Sequence, residues 1–304
     1  QRINPAEIFV RKMINERLLS LRVKMPNENI HVTGKWVGII GHLNVTAYYL
    51  AAVENGYISS KTLIDDRNVS NPYYLKMILN SFPKSSQNIG QCEYKDTNDS
   101  NSLFLFDDQY YHIFDLERAI QAKVDPSGDG ILSLPGDFKK KVRCLLRKVG
   151  VEVQRPYVTL HIRESGFRGN GKQREYRNAS LENYRRTIEY LISQGFSVIR
   201  MGDSSMRPIW RNKYIFDYAK SRFKSAENDI IILAGAKFHI GSSSGLSLVP
   251  QSLGVPTAFT NWWPFCFRPW SPKAETLEKN LLEIGSNEII RNSQDKEKFS
   301  KVLS

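Results

Sequence analysis

The second half of the chain alternates short apolar runs with amphipathic stretches. Residues 157–162 (Tyr-Val-Thr-Leu-His-Ile) are nearly all aromatic, β-branched or apolar, the pattern of an inner strand of a parallel sheet. Over 181–194, Leu181, Tyr184, Ile188, Leu191 and Ile192 fall on one helical stripe, and Gly195 follows as a suitable C-terminal cap. A strand at 196–201, a helix around 208–223 and a strand at 229–233 come next. A short strand at 237–241, a short helix at 246–253 and a last strand at 255–260 complete the series. Such alternation predicts a parallel, doubly wound sheet. The aromatic, proline-rich run 261–272 is irregular and reads as packing back over a domain joint.

The first half is less regular. Residues 1–30 read as a helix, with Ile8, Phe9, Ile14, Leu18, Leu19 and Val23 apolar among Arg and Lys. Residues 35–43 read as a strand that breaks at Gly41 and enters a helix at 44–53, which Gly56 ends. A strand at 57–64, a helix from Asn71, a polar loop at 85–102 and a helix at 109–122 follow. Residues 125–130 (Asp-Pro-Ser-Gly-Asp-Gly) imitate the start of a calcium loop. Its twelfth position would be Gly136, where a bidentate Glu is needed, so the stretch reads as a turn. Asp137 then caps a helix over 138–150, with Val142, Leu145, Leu146 and Val149 on one side. Lys139, Lys140, Lys141, Arg143, Arg147 and Lys148 cover the rest. This helix is either a membrane-surface face or a solvated helix beside an interdomain linker. The division falls at 150, giving domains 1–150 and 151–304.

Charge narrows the partners. Lys and Arg number 43 against 31 Asp and Glu, a net 43 − 31 = +12. That balance favours nucleic acid, phosphorylated small molecules or an acidic membrane, unless it is only a generally basic surface. Cys92, Cys144 and Cys266 are far apart and form neither a zinc spacing nor a disulfide framework, which suits a reducing cytoplasm. No apolar run approaches the length of a membrane span. Gln1 in place of Met leaves open a removed leader.

Three predicted strand ends carry donors suited to phosphate. The first supplies His161, Arg163 and Glu164 and runs into a cationic loop with Arg168, Arg174 and Arg177. The second ends in Asp203 and Ser204, and the third in Ser242, Ser243, Ser244 and Gly245. Open α/β sheets bind ligands at such carboxyl ends. The Ser-rich loop before a helix offers N–H groups and hydroxyls to phosphate oxygens, or serves as a plain N-cap. It is neither a Walker A loop nor a dinucleotide fingerprint. Arg163 is either a surface arginine or a planar fork on a diphosphate. Asp203 holds a sugar hydroxyl or caps the next helix. Gly41 permits close backbone approach, and His42 is a general base, a sugar contact or a buried, hydrogen-bonded histidine. No Asp-x-Asp triplet offers a metal-bound diphosphate.

The ordered set His161-Ile-Arg163, Arg200-Met-Gly-Asp203 and Phe238-His-Ile-Gly241-Ser-Ser-Ser-Gly245 resembles the donor half of GT-B glycosyltransferases. With Gly38-Ile-Ile-Gly41-His42-Leu43 and the run Glu175-Tyr-Arg177-Asn178-Ala-Ser180, it looks like a bacterial surface-polysaccharide family distantly similar to the O-fucosyltransferases. The likeness covers residues from about 36 to 263. It departs from the fucosyltransferase pattern at Arg163-Glu164, where an Arg-Arg pair is common. The resemblance implies two Rossmann-like domains with the active site between them, a nucleotide-sugar donor, and no cofactor or metal. It also implies a glycan, glycolipid or protein acceptor, with a cytoplasmic or inner-membrane-surface location. His42 and Glu164 are the candidate bases. The alternatives are a non-catalytic sugar-nucleotide-binding protein and a nucleic-acid-binding protein. The second is favoured by charge alone and lacks a recognition module.

Overall fold

The computed structural model describes residues 37–58, 68–85, 103–106, 109–165, 177–263, 269, 271–282 and 289–290. The predicted helix at 1–30, most of the strand at 57–64 and nearly all of the loop at 85–102 lie outside them.

Helix α1 spans Ile40–Glu54 and is buried along most of its length, from Leu43 to Ala52. It corrects the strand expected over 35–43, because Ile40, Gly41 and Leu43 already belong to the helix. A short apolar run has no period of its own to separate the two states. Helix α2 (Pro72–Ser81) opens as predicted at Asn71, whose side chain accepts the Tyr74 N–H at 2.8 Å, with Pro72 at its first turn. An antiparallel hairpin, β1 (Leu103–Phe106) and β2 (Gln109–His112), precedes helix α3 (Ile113–Val124). The helix expected from Gln109 therefore starts later, because residues 109–112 pair with 103–106. Residues 125–130 form the expected turn. Helix α4 (Phe138–Lys148) follows. Asp137 makes no side-chain cap bond and instead pairs with Lys141 at 3.6 Å, which corrects the predicted cap.

Strand β3 (Tyr157–His161), helix α5 (Arg185–Ser193), strands β4 (Ser197–Arg200) and β5 (Ile215–Phe216), helix α6 (Ala226–Ala234), strand β6 (His239–Gly241), helix α7 (Val249–Ser252) and strands β7 (Thr257–Trp262) and β8 (Ala274–Glu278) build the second half. A small antiparallel pair, β9 (Leu281–Leu282) and β10 (Ile289–Ile290), lies beyond. The sheet runs β5-β4-β3-β6-β7-β8 with every neighbour parallel. Counting only these strands, the order is 3-2-1-4-5-6, that of dinucleotide-binding sheets.

Three expectations change here. The stretch 229–233 is helix, not strand. The Ser225 hydroxyl accepts the Asn228 N–H at 3.1 Å, Glu227 and Asp229 sit in the first turn, and Ile230–Leu233 are buried on every side. The helix expected around 208–223 is replaced by β5 and a 3-10 turn at Tyr218–Lys220. The Asp217 carboxylate accepts the Ile209 N–H and Tyr214 offers its carbonyl to Val198, which draws the segment along the sheet edge. The strand expected to end the sheet is followed by β8, which pairs with it in parallel.

Residues 37–150 do not stand apart from this sheet. Leu43, Ala47, Leu50, Tyr74, Ile78, Val142, Leu145 and Leu146 share one core with Ile230–Leu233, Val249 and Leu253. Leu43, Leu50 and Ile78 are wholly buried, each worth about 1.5–3 kcal/mol. The Tyr74 hydroxyl binds Asn44 Oδ1 at 2.8 Å and Ser252 Oγ at 2.6 Å, joining α1, α2 and α7. The other sheet face packs Val158, Leu160 and Ile162 against Leu181, Tyr184, Ile188 and Leu191. Among the described residues the Rossmann-like sheet is that of 157–278, and residues 37–150 contribute helices and one hairpin. The division at 150 remains an expectation of the sequence.

Candidate active site

The chain runs outward from β3 in both directions, to β4 on one side and to β6 on the other. Such a switch point opens a crevice at the carboxyl ends of the two central strands. Arg163 and Ser242 lie just beyond those ends. Ser242 N–H donates to the His161 carbonyl at 2.9 Å, and the Ser242 hydroxyl accepts the Arg163 N–H at 2.7 Å. The two strand ends are thus pinned together.

Around this pin the structure gathers positive charge. Arg163 Nε donates to Asn178 Oδ1 at 3.2 Å, and Arg177 Nε donates to the Ser243 carbonyl at 3.0 Å. The Ala179 N–H returns to the Arg163 carbonyl at 2.9 Å. Arg163, Arg177 and Asn178 are all half-buried. Two residues that the sequence did not single out join them. Asn261 Nδ2 and Lys279 Nζ both donate to the Asn178 carbonyl at 3.3 Å. Asn261 has φ 52°, and the β7–β8 register shifts between Phe259 and Trp262. A bulge of this kind re-aims side chains and is not legible in a single sequence.

His161 and His239 lie on the sheet face towards α6. The His239 ring meets Thr159 Oγ1 at 2.9 Å through Nδ1. Burial pulls the His161 pKa down to about 4, with the nearby Asp203 opposing the shift. Burial, then the neighbouring His161, pulls His239 down to about 3. Both imidazoles are therefore neutral at pH 7. Among the described residues, His161 Nδ1 and His239 Nε2 find no hydrogen-bond partner. At a strand end such an atom marks a point where a ligand or water would bond.

Glu164 is committed elsewhere. Its Oε2 meets Arg200 Nη2 at 3.1 Å and accepts the Arg207 N–H at 2.8 Å. Arg200 is wholly buried and also faces Asp217 at 3.4 Å and the Arg207 carbonyl. A carboxylate that shares with Asp217 the neutralising of a buried guanidinium is poorly placed to abstract a proton, because losing its charge would leave Arg200 with Asp217 alone. The structure thus shows Glu164 as an ion-pair partner.

Gly41 and Gly245 are in backbone contact: a Cβ on Gly41 would lie 2.7 Å from Gly245 Cα. This places exposed His42, at the start of α1, beside the Ser244–Gly245 corner. The hydroxyls of that loop are less available than the sequence suggested. Ser242 and Ser243 are buried, the first holding Arg163 and the second donating to the Trp263 carbonyl at 2.6 Å. A four-residue 3-10 turn, Gly245–Leu248, and then the short α7 follow them. The Ser242 and Ser243 hydroxyls thus brace the loop, while Ser244 is half-exposed. Asp203 turns its Oδ1 to the Ser205 N–H at 2.8 Å, and Ser204 is exposed beside it. Arg168 lies outside the described residues. Among the described residues, no group of His, Cys, Asp and Glu is gathered as a metal would require, and no helix is long and apolar enough to cross a membrane. A hollow of about 420 Å³ opens at the sheet edge, lined by Trp210, Arg211, Asn212, Lys213 and Asp217. None of the residues bonded to Arg163 line it, so the strand-end cluster remains the candidate site.

No family model and no curated protein matches the sequence. Solved structures share its arrangement at low similarity. One is the iron-containing dodecameric glycosyltransferase TibC from enterotoxigenic E. coli H10407, with 14% identity, covering 81% of this chain and 61% of that one, at a TM-score of 0.43. The chain thus spans less than two thirds of that structure. Another is E. coli ADP-heptose lps heptosyltransferase II, with 11% identity, 90% and 98% coverage and a TM-score of 0.44. A third is a glycosyl transferase family 9 protein of Veillonella parvula DSM 2008, with 14% identity, 87% and 77% coverage and a TM-score of 0.40. Values this low carry no argument about substrate or activity. They do not show the O-fucosyltransferase likeness.

Proposed function

We propose that the chain is a GT-B-like, metal-independent, inverting glycosyltransferase that moves a sugar from a nucleotide-sugar donor to a glycan, glycolipid or protein acceptor. One observation carries the reading: Arg163 and Arg177 converge at the switch point of a 3-2-1-4-5-6 parallel sheet, fastened to Asn178 and Ser243. Nucleotides bind at such points, and planar guanidinium forks suit a diphosphate. In transfer, the bond from the anomeric carbon to the diphosphate breaks as the acceptor oxygen bonds from the opposite face. Arg163 and Arg177 stabilise the charge that grows on the leaving group. His161 and Asp203 offer hydrogen bonds to donor hydroxyls. His42 takes the acceptor proton, since Glu164 is tied to Arg200.

A cytoplasmic setting at an anionic membrane surface goes with a lipid-linked acceptor. The exposed cations of α4 supply charge for it, but its row Val142, Leu145 and Leu146 is in the core and does not enter lipid. A thermal-shift screen of GDP, UDP, CMP and dTDP with their common sugars tests the donor class, since a ligand of the folded state raises its melting temperature. Stabilisation by a nucleotide sugar, with transfer or donor hydrolysis that survives EDTA, is expected. Loss of turnover in EDTA, restored by manganese or magnesium, overturns metal independence. Binding without turnover leaves a sugar-nucleotide-binding protein. Affinity for generic DNA with a steep salt dependence, and none for nucleotides, overturns the reading altogether.

A further inference from the structure

We infer that the hollow at the β5 edge of the sheet binds an anionic sugar unit, carboxylated or phosphorylated, of the acceptor. The acceptor assignment rests on the glycosyl-transfer reading above. The hollow measures about 420 Å³, the size of a small-ligand pocket. Its polar lining consists of donors. Arg211 and Lys213 are exposed, and among the described residues neither enters an ion pair. Asn212 gives its side-chain oxygen to the Tyr214 N–H at 2.8 Å, which leaves the amide nitrogen to donate. The acid in the lining, Asp217, is already engaged: its carboxylate accepts the Ile209 N–H at 3.1 Å and faces buried Arg200 at 3.4 Å. A lining of donors with no acceptor to spare suits an anion, and it serves a neutral sugar poorly, because hydroxyl groups also have protons to donate.

Ile209, Ile215 and half-buried Trp210 add the apolar wall that a sugar ring uses and a bare anion does not. Stacking holds parts of the lining in place: the Arg185 guanidinium lies over the Trp210 ring at 4.1 Å, and the Lys213 ammonium over the Tyr214 ring at 4.7 Å. The position also fits an acceptor. Asp217 follows β5 at its carboxyl end, Arg200 ends β4, and Glu164 comes directly after Arg163. The contacts of Arg200 with Glu164 at 3.1 Å and with Asp217 at 3.4 Å tie the hollow to the strand-end cluster. Two strand spacings, about 10 Å, separate β3 from β5. A glycan of a few units spans that distance, so a charged unit can occupy the hollow while the terminal hydroxyl meets the donor.

The test is calorimetric titration of the full chain with a glucuronate-terminated disaccharide, its neutral methyl ester, a hexose phosphate, the free hexose, inorganic phosphate and a single-stranded oligonucleotide. The two anionic sugars are expected to bind roughly tenfold or more tighter than the methyl ester, the free hexose and phosphate, as for gain of a charge-assisted bond. The double variant Arg211→Gln, Lys213→Gln should lose that preference while nucleotides keep their wild-type affinity at the strand ends. The exchange Arg211→Lys, Lys213→Arg conserves charge and should retain the preference. Lys273→Ala, at the other edge of the sheet, removes an exposed lysine paired with Asp129 and should change nothing. Both hollow cations are exposed, so melting temperatures should stay near wild type. Equal affinity of wild type and the glutamine variant for the anionic sugars overturns the inference and leaves the nucleotide reading standing. Failure of wild type to bind either anionic sugar does the same. Phosphate binding as tight as that of the anionic sugars shows a bare anion site and overturns it, and tighter binding of the oligonucleotide, lost in the glutamine variant, overturns it in favour of nucleic acid. Anionic-sugar binding by a chain that takes no nucleotide keeps the site but overturns the transfer reading and the acceptor role with it.

Discussion

The hydroxyl of Ser242 accepts the backbone N–H of Arg163 at 2.7 Å, so that the end of β6 fixes the direction in which the chain leaves β3. Ser242 is wholly buried, and its carbonyl in turn accepts the Ser247 hydroxyl at 2.9 Å. The serine sets the position of the arginine without needing to meet the ligand.

Ser242→Ala should therefore cost about 1–3 kcal/mol of stability, because it leaves the Arg163 N–H without its acceptor. Nucleotide binding should weaken further than the lost stability explains. Denaturant unfolding and nucleotide titration of the same preparation measure the two effects. An affinity equal to wild type would show that the pin does not position Arg163.

Glu164→Gln separates an ion-pair partner from a base. Arg200 has no exposure, and Glu164 is its nearest acid at 3.1 Å. Removing one of the two carboxylates that face this guanidinium leaves it with Asp217 and costs on the order of 1–3 kcal/mol. A marked fall in melting temperature is expected, with residual turnover in whatever remains folded. An unchanged melting temperature with abolished turnover would return Glu164 to the role of base.

The parallel sheet and its strand ends were legible because inner strands carry uninterrupted apolar runs, as at 157–162, and because loops bearing Arg, Asp and Ser interrupt them at the binding end. Other elements were hidden by context. Residues 229–233 carry a β-branched run, yet all-round burial and the Ser225 cap make them helix. Residues 109–112 pair with a partner six residues earlier that single-strand periodicity does not reveal. In the site, Arg163, Arg177 and Asn178 were found from their place after β3. Lys279 and Asn261 were not, since only the β7–β8 bulge brings them to Asn178. The burial of Ser242 and Ser243 was not legible either, since a Ser-Ser-Ser run gives no sign of which hydroxyls face inward.

Gly41→Ala tests the contact between the first helix and the Ser-rich loop. Its Cβ would lie 2.7 Å from Gly245 Cα, a backbone clash that no rotamer relieves. A loss of about 1–3 kcal/mol is expected, as for overpacking, with reduced turnover as His42 moves from the Ser244 corner. Gly136→Ala, where the new methyl meets nothing within 4 Å, is the control. Equal behaviour of the two variants would show that α1 and the loop are not held in contact.

The buried histidines predict an acid dependence. The folded chain holds His161 near a pKa of about 4 and His239 near about 3, whereas both titrate near 6.5 when unfolded. Between these limits the unfolded state binds protons that the folded state refuses. Stability is therefore complete above pH 6.5 and falls as pH drops towards 4, by up to about 1.4 kcal/mol per unit for each histidine. Denaturant unfolding from pH 7 to pH 5 should show a steeper slope for wild type than for His239→Gln. Equal slopes would mean that His239 is not held neutral.

Arg163 is the residue on which the proposed chemistry depends most. Its main chain is set by Ser242 and by the Ala179 N–H, and its Nε is aligned by Asn178, so the guanidinium is oriented before a ligand arrives. A leaving diphosphate gains negative charge as the glycosidic bond breaks. A preorganised fork contributes more to that state than to the bound donor. Arg163→Ala should lower turnover roughly a hundredfold or more, on the order of 3 kcal/mol. Arg163→Lys should recover little, because a point charge does not reproduce the forked geometry. Asn178→Ala should give a smaller loss of the same kind, since it removes the alignment and keeps the charge. Folding should persist in all three, the side chain being half-buried at a strand end rather than in the core. Turnover and melting temperature measured together decide the matter. Near-normal turnover in Arg163→Ala, or a melting temperature that collapses in step with activity, would make Arg163 a structural residue and move the leaving-group contact to Arg177.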